Sequence, residues 1–117
     1  MAETTQLELV TPARIMVSKT ADMVVVPGSE GLFGVLPRHS ALLASLQRGV
    51  VEVYEGGKVI DRIMIDGGLA DVTPEGVTIL AERAVDLSAT SSQELKEWAK
   101  KASEAEADFL TSASEAL

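Results

Sequence analysis

The sequence predicts a mainly β fold with a C-terminal α segment, and three observations carry that reading. Short runs rich in Val, Ile and Leu recur about every eight to twelve residues as far as residue 86, separated by Gly, Pro and Asp, the punctuation of a sandwich or barrel. Composition then turns to Ala, Ser and Glu, which places a boundary between a β domain, 1–86, and a helical segment, 87–117. Finally, Ser91-Ser92-Gln93-Glu94 matches a capping box, in which a Ser hydroxyl and a Glu carboxylate satisfy amide donors at a helix start. With 117 residues, 46% of them hydrophobic and 24% charged, the chain is long enough for one core and too apolar for disorder.

The runs predict strands at 7–11, 15–19, 23–27, 32–36, 50–54, 59–65, 69–73 and 77–80. Gly56-Gly57 joins two of them as a two-residue hairpin loop, because positive φ at both positions costs little only for Gly. Thr73-Pro74-Glu75-Gly76 predicts a second tight turn. If the Gly-Gly loop alone sets the register, Glu55 faces Lys58, Val53 faces Ile60 and Glu52 faces Asp61, a like-charge pair that costs stability. In that register Val51, Val53, Ile60 and Met64 share one side of the hairpin, and Val50, Tyr54, Val59, Ile63 and Ile65 the other. Apolar residues on both sides mean both are covered, by the other half of a sandwich or by a partner protein.

Beyond the cap, Leu95, Trp98, Ala102, Ala105 and Phe109 recur at helical spacing and form the packing stripe of a single helix to about residue 110, with Glu97 four before Lys101. The tail carries Glu104, Glu106, Asp108 and Glu115 without Lys or Arg, and reads as a fraying acidic end.

Charge and residue usage exclude several functions. Ten Lys and Arg against 18 Asp and Glu give a net charge of -8, which repels nucleic-acid phosphates and anionic lipid. With no Cys and one His there is no disulfide, thiolate nucleophile or zinc cluster. The N-terminus lacks an export signal and no run approaches the roughly 20 apolar residues of a membrane helix, so a soluble, cytosolic protein is expected.

Candidate chemistry is thin. Gly28, Gly31 and Gly34 have the look of a phosphate cradle but precede Pro37 and strand residues, not a helix N-terminus, so tight β turns are the better reading. His39 beside Ser40 could be catalytic, yet a turn histidine bonded to backbone or a partner is favoured. Asp61, Asp66 and Asp71 could pair for acid/base work or hold a hard cation, but their spacing fits no Ca loop. Trp98 reads as packing or an interface anchor. Physics alone thus points to a binding or structural subunit, with a free-standing β-sandwich adaptor and a small hydrolase using His39 as rivals.

Read in order, Gly28-Ser29-Glu30-Gly31-Leu32-Phe33-Gly34-Val35-Leu36-Pro37-Arg38-His39-Ser40-Ala41-Leu42-Leu43 resembles the signature loop and strand of the epsilon subunit of the rotary F-type ATP synthase. Leu7-Glu8-Leu9-Val10-Thr11-Pro12, Gly67-Gly68-Leu69-Ala70-Asp71-Val72 and Val77-Thr78-Ile79-Leu80-Ala81-Glu82-Arg83-Ala84 are similar to other strands of that family, so the likeness spans 7–86. The resemblance implies a flattened β-sandwich of about eight to ten strands followed, here, by one helix and a short tail. It implies a non-catalytic central-stalk subunit that binds gamma and the ring of c subunits, on the cytoplasmic side of the bacterial inner membrane, and couples proton-driven rotation to ATP synthesis. Residue by residue, Thr11, His39, Leu42 and Ala44 are implied to face gamma, and Glu30, Gly31 and Leu32 the c ring. Many members carry a carboxylate where this chain has Leu32, which leaves Glu30 as the nearest substitute. Some members bind ATP through an Ile/Leu-Asp-x-x-Arg-Ala motif; Leu87-Ser88-Ala89-Thr90-Ser91-Ser92 stands in its place, so no cofactor is expected. The basic inhibitory second helix of many members is missing too, and weak or absent self-inhibition follows.

Overall fold

The computed structural model describes residues 3–101 and 104–116, with the side chains of residues 92, 101, 104 and 105 outside the description. Ten strands come first: β1 (Thr5–Val10), β2 (Ile15–Ala21), β3 (Met23–Gly28), β4 (Gly31–Val35), β5 (Leu42–Leu46), β6 (Gly49–Glu55), β7 (Lys58–Ile65), β8 (Gly68–Thr73), β9 (Gly76–Ala81) and β10 (Ala84–Asp86). Two helices follow, α1 (Ser92–Lys101) and α2 (Glu104–Ala116). The hydrogen-bonded order is β10-β7-β6-β3-β5-β8-β9-β1-β2, with β4 on β3. All pairs are antiparallel except β1 with β9. Where Gly28 of β3 pairs with Leu46 of β5 the path doubles back, giving a layer of β10, β7, β6, β3 and β4 against a layer of β5, β8, β9, β1 and β2.

Alternation decides which side of each strand is inside. Leu7 and Leu9 of β1, Ala70 and Val72 of β8 and Val77 and Ile79 of β9 are buried, and they meet Val24, Val26, Val51, Val53, Ile63 and Ile65 of the other layer in one cluster. Burying a Val, Leu or Ile side chain is worth about 1.5–3 kcal/mol, so this cluster is the main source of the fold's stability. At the open flank Lys19 of β2 reaches Asp61 of β7 at 2.6 Å and ties the two layers together.

Both predicted turns form. Gly56 and Gly57 have φ of +62° and +76°, the pair of left-handed residues a two-residue hairpin loop needs. Thr73 pairs with Gly76 across the second turn, whose Thr73 hydroxyl accepts from the Gly76 amide at 3.3 Å. The register beyond Gly56 differs from expectation. Glu55 does face Lys58, but a shift between Val53 and Tyr54 places Val53 opposite Asp61 and Glu52 opposite Arg62. The irregularity replaces the like-charge pair by an opposite-charge one and frees Asp61 for Lys19. It also regroups the faces: Val51, Val53, Ile63 and Ile65 point to the main core, while Val50 and Met64 point away from it.

Two strands escaped the sequence reading. In β5, Leu-Leu-Ala-Ser-Leu has no β-branched residue, and β10 is only three residues long and held by pairing with β7. The expectation of one helix and a frayed tail is corrected, because there are two helices packed along each other. The N-cap is as predicted at its amide: Glu94 N–H donates to the Ser91 hydroxyl at 3.2 Å. Ala102 of the expected stripe lies outside the described residues, as do the side chains of Lys101 and Ala105. Instead of fraying, α2 buries Phe109 and Ala113 with Leu95 of α1 against Met64, Val85 and Leu87 in a second core. Tertiary burial, hidden behind the acidic run, is what holds so short a helix. Its last turn has no basic residue of its own, and Arg62 of β7 supplies one, donating to the Ala116 carbonyl at 3.2 Å.

Candidate functional site

The architecture leaves the sandwich with two outer faces, and each carries an apolar row set by strand register. On the first layer Val50, Met64 and Val85 stand side by side across β6, β7 and β10. The helical hairpin lies over them and the main core lies on the other side, so the chain itself covers both sides of the β6–β7 hairpin base. On the second layer, register aligns Ser45, Leu69, Leu80, Val10 and Ile15 across β5, β8, β9, β1 and β2. The described chain covers this row only in part: Leu80 is 48% exposed and Ile15 61%, while Leu69 and Val10 are half-buried. Its neighbour row, Leu43, Asp71, Thr78, Glu8 and Ser18, is mostly polar. An apolar row with a polar border is the composition of a protein-docking surface.

The residues singled out from sequence are distributed over three places. Thr11 sits in the β1–β2 turn, where its hydroxyl and amide both engage Arg14, at the end of β1 and directly after Val10 of the bare row. His39 lies before the start of β5; because β5 and β1 run in the same sense, it stands at the opposite end of that layer from Thr11. The backbone around it is fixed by Arg38, at φ +64° with its N–H donated to the Pro74 carbonyl, and by the His39 amide donated to Leu36. His39 Nδ1 lies 2.7 Å from the Ser40 carbonyl, so the ring is engaged by backbone and not by the neighbouring hydroxyl. Leu42 and Ala44 share a groove of about 320 Å³ with Glu30, Gly31 and Phe33, which brings the two sets of implied contacts into one depression around the β3–β4 turn. Leu32 stands beside it, 70% exposed. Gly28 and Gly31 face each other across this β turn, and no helix follows to make a phosphate cradle.

The three aspartates have separate tasks. Asp61 pairs with Lys19, Asp71 is exposed on the bare layer, and Asp66 is gripped by two guanidiniums. Arg48 Nε reaches Asp66 Oδ1 at 2.9 Å, and Arg83 Nη1 reaches Asp66 Oδ2 at 2.8 Å. Burial opposes the charge on Asp66, but the hydrogen bonds from Arg48 and Arg83 outweigh it and hold the carboxyl below its ordinary value. Arg48 also reaches Asp108 at 2.9 Å and the Ser112 hydroxyl at 3.2 Å, and its guanidinium lies 5.6 Å from the Phe109 ring centre. This knot pins α2 to the sandwich. Bonding to Asp66 and then Asp108 raises the Arg48 pKa further above its ordinary value.

Of the expected helix-packing residues, Leu95 and Phe109 are buried at 0% and 1%, whereas Trp98 is 46% exposed. The segment standing in place of an ATP motif is used structurally: Leu87 is buried and donates its N–H to the Arg62 carbonyl, and the Ser88 hydroxyl accepts from the Arg62 amide at 3.1 Å. Among the described residues no group of acidic or histidine side chains is placed to hold a metal, and no helix is long and apolar enough to cross a membrane. Sequence reasoning missed Arg48 and the alignment of the bare row. Neither has a local signal, since both depend on strand pairing.

The chain is thus a β-sandwich with a helical appendage over one outer face and a partly exposed apolar row on the other. The model of the ATP synthase delta/epsilon chain β-sandwich domain matches residues 4–87. The ATP synthase epsilon chain of Rhodospirillum rubrum is 44% identical, covering 100% of this chain and 96% of that one. That of Hyphomonas neptunium is 50% identical over 81% of this chain and 70% of its own length. In the solved structure of the Euglena gracilis mitochondrial ATP synthase OSCP/F1/c-ring assembly, one chain superposes with a TM-score of 0.67 at 26% identity, covering 96% of this chain and 73% of that one. The chain belongs to the ATP synthase delta/epsilon family and groups with its epsilon chains, non-catalytic subunits of the complex.

Proposed function

We propose that this chain is a central-stalk subunit that binds the gamma subunit through the bare face of the β5-β8-β9-β1-β2 layer and the c ring through the β3–β4 turn, so that proton-driven rotation is passed to ATP synthesis. The observation that carries the reading is the row Leu69, Leu80, Val10 and Ile15, aligned by register, with Leu80 and Ile15 exposed. Thr11 at one end of that layer and His39 at the other frame it. Leu42 and Ala44 join Glu30, Gly31 and Leu32 around the lower groove, which suits a place where gamma and the ring meet. The similar Euglena chain belongs to an assembly of OSCP, F1 and the c-ring, and that setting supports the same placement here. The subunit would then sit peripherally on the cytoplasmic side of the bacterial inner membrane.

Self-inhibition by the hairpin is weak or absent in this proposal. The helices span only about 15 and 20 Å at roughly 1.5 Å per residue. No Lys or Arg follows Lys101, so α2 cannot offer basic residues to acidic loops of a catalytic head. The test is ATP hydrolysis by the assembled enzyme with the chain truncated after Ala89. A rate within about twofold of the full-length enzyme is expected, and a large rise with assembly unchanged would show a brake. Copurification with gamma in stoichiometric amounts checks the docking role; a chain isolated without gamma and bound to another protein would favour the adaptor reading.

A further inference from the structure

Asp66-Gly67 is the single Asp-Gly step of the chain, and the sequence contains no Asn. Such a step is where a main chain rearranges most readily, because Gly has no side chain to shield its amide nitrogen from the neighbouring carboxyl carbon and few limits on φ. In that reaction the Gly67 nitrogen bonds to Asp66 Cγ, the carboxylic acid OH and the amide hydrogen depart as water, and a succinimide ring closes. Water then opens the ring at either carbonyl. Opening at the main-chain carbonyl carbon of Asp66 routes the chain through Cγ and leaves an isoaspartyl residue of unchanged mass, with its carboxylate on Cα.

The fold sets this step where the chain leaves β7 for β8, with Gly67 at φ +72°. The Gly67 N–H meets no acceptor among the described residues, so no ladder bond withholds the attacking nitrogen. Asp66 is held instead. Its N–H donates to the Arg83 carbonyl at 3.0 Å, and its two carboxylate oxygens accept separately, Oδ1 from Arg48 and Oδ2 from Arg83. Two guanidiniums on different loops fix the rotamer and favour the ionised form, whereas ring closure needs the neutral acid and freedom to turn toward Gly67. Arg48 is itself held by Asp108 and Ser112 of α2, so the clamp is built in part from the hairpin. We propose that Asp66-Gly67 is a latent isoaspartate site, kept closed by the Arg48–Arg83 clamp and opened when α2 undocks. Once formed, the isoaspartyl residue has its carboxylate moved and one extra atom in the main chain, so Arg48 loses Asp66 and the hairpin loses a tie to the sandwich.

The test compares the full chain, its Arg48→Ala and Asp108→Ala variants and a free peptide of residues 63–83, all aged at neutral pH and physiological temperature. Methyl transfer from S-adenosylmethionine by an isoaspartyl methyltransferase counts the product, and resistance to cleavage before residue 66 by an aspartate-specific protease locates it. Isoaspartate is expected to build up in the peptide and to form about tenfold or more slowly in the wild-type chain. Arg48→Ala with wild-type circular dichroism is expected to accelerate it about fivefold or more. Asp108→Ala, which removes an exposed carboxylate and only the hairpin's hold on Arg48, is expected to fall between the two, and it carries the comparison if Arg48→Ala unfolds. A peptide that gives no isoaspartate, or a wild-type chain as fast as the peptide, would overturn the proposal. A folded Arg48→Ala chain at the wild-type rate would overturn the clamp, and Asp108→Ala at the wild-type rate would overturn the part played by α2.

Discussion

The two outer faces of the sandwich carry comparable apolar rows and differ in what lies over them. Val50, Met64 and Val85 are covered by Leu95, Phe109 and Ala113 of the chain's own helices. Of Leu69, Leu80, Val10 and Ile15, Leu80 and Ile15 are exposed and the other two half-buried. The same strand periodicity that buries a core on one side of each layer thus produces two further apolar surfaces, and the chain satisfies one internally. The covered face is secured by a polar knot as well, in which Arg48 bridges Asp66 of the sandwich to Asp108 and Ser112 of α2. On the bare face the charges of half-buried Glu8 and exposed Asp71 lie in the neighbouring row, where they border the surface without filling it.

A charge placed in each row separates the two faces most sharply. Met64→Asp puts a carboxylate where the hairpin packs, and a loss of about 3–5 kcal/mol is expected in urea unfolding. Leu80→Asp is expected to leave the isolated chain within about 0.5 kcal/mol of wild type while lowering gamma affinity by two orders of magnitude or more. Equal destabilisation by the two would erase the contrast. Phe109→Ala, next in size, removes the largest side chain of the second core, and about 3 kcal/mol of hairpin stability should go with it. Limited proteolysis of α2 at constant cleavage conditions reads that loss, with β1–β9 remaining intact.

The pH dependence sharpens the comparison further, because an ion-paired latch of Arg48, Arg83, Asp66 and Asp108 secures the covered face. Asp66 is held below its ordinary pKa, so its contribution to folding is fully present above the unfolded carboxylate value of about 4 and is lost as pH falls through the lowered folded value. Acid titration of Trp98 emission should show hairpin loosening in that window, and Asp66→Asn should remove this component at the cost of lower stability at neutral pH. An acid transition identical in the variant would assign it to other groups. The smallest effect is expected from His39→Gln, which keeps hydrogen-bonding capacity. ATP synthesis by the assembled enzyme should change less than about threefold, and a loss of several orders of magnitude would make His39 catalytic.

Local chemistry made much of this legible in the sequence. Gly56-Gly57 and Thr73-Pro74-Glu75-Gly76 each dictate a turn through their own φ preferences, and Ser91 announces a helix start through a hydroxyl three residues from its donor. What stayed hidden depends on partners distant in sequence. The register shift at Val53 is decided by Glu52, Asp61, Arg62 and Lys19 acting together, and a one-residue slip moved Met64 from the core side to the helix side. The second helix was masked by its acidic residues, because the apolar pair Phe109 and Ala113 gains its weight only from Met64 and Val85 beneath it. Arg48, in a loop between β5 and β6, has no periodic signal at all. For the candidate surface, the resemblance supplied individual positions, whereas the row through Leu80 and Ile15 exists only once five strands are in register.

Because the chain contains no Cys, one introduced thiol can report contact from a chosen face without interference. Leu80→Cys on the bare face and Ile60→Cys on β7 of the covered layer, each carrying a short photoreactive group, are incorporated into the assembled enzyme and irradiated. The account predicts a cross-link to gamma from position 80 and none from position 60. A cross-link to gamma from position 60 with none from position 80, in enzyme that has assembled fully, would contradict it.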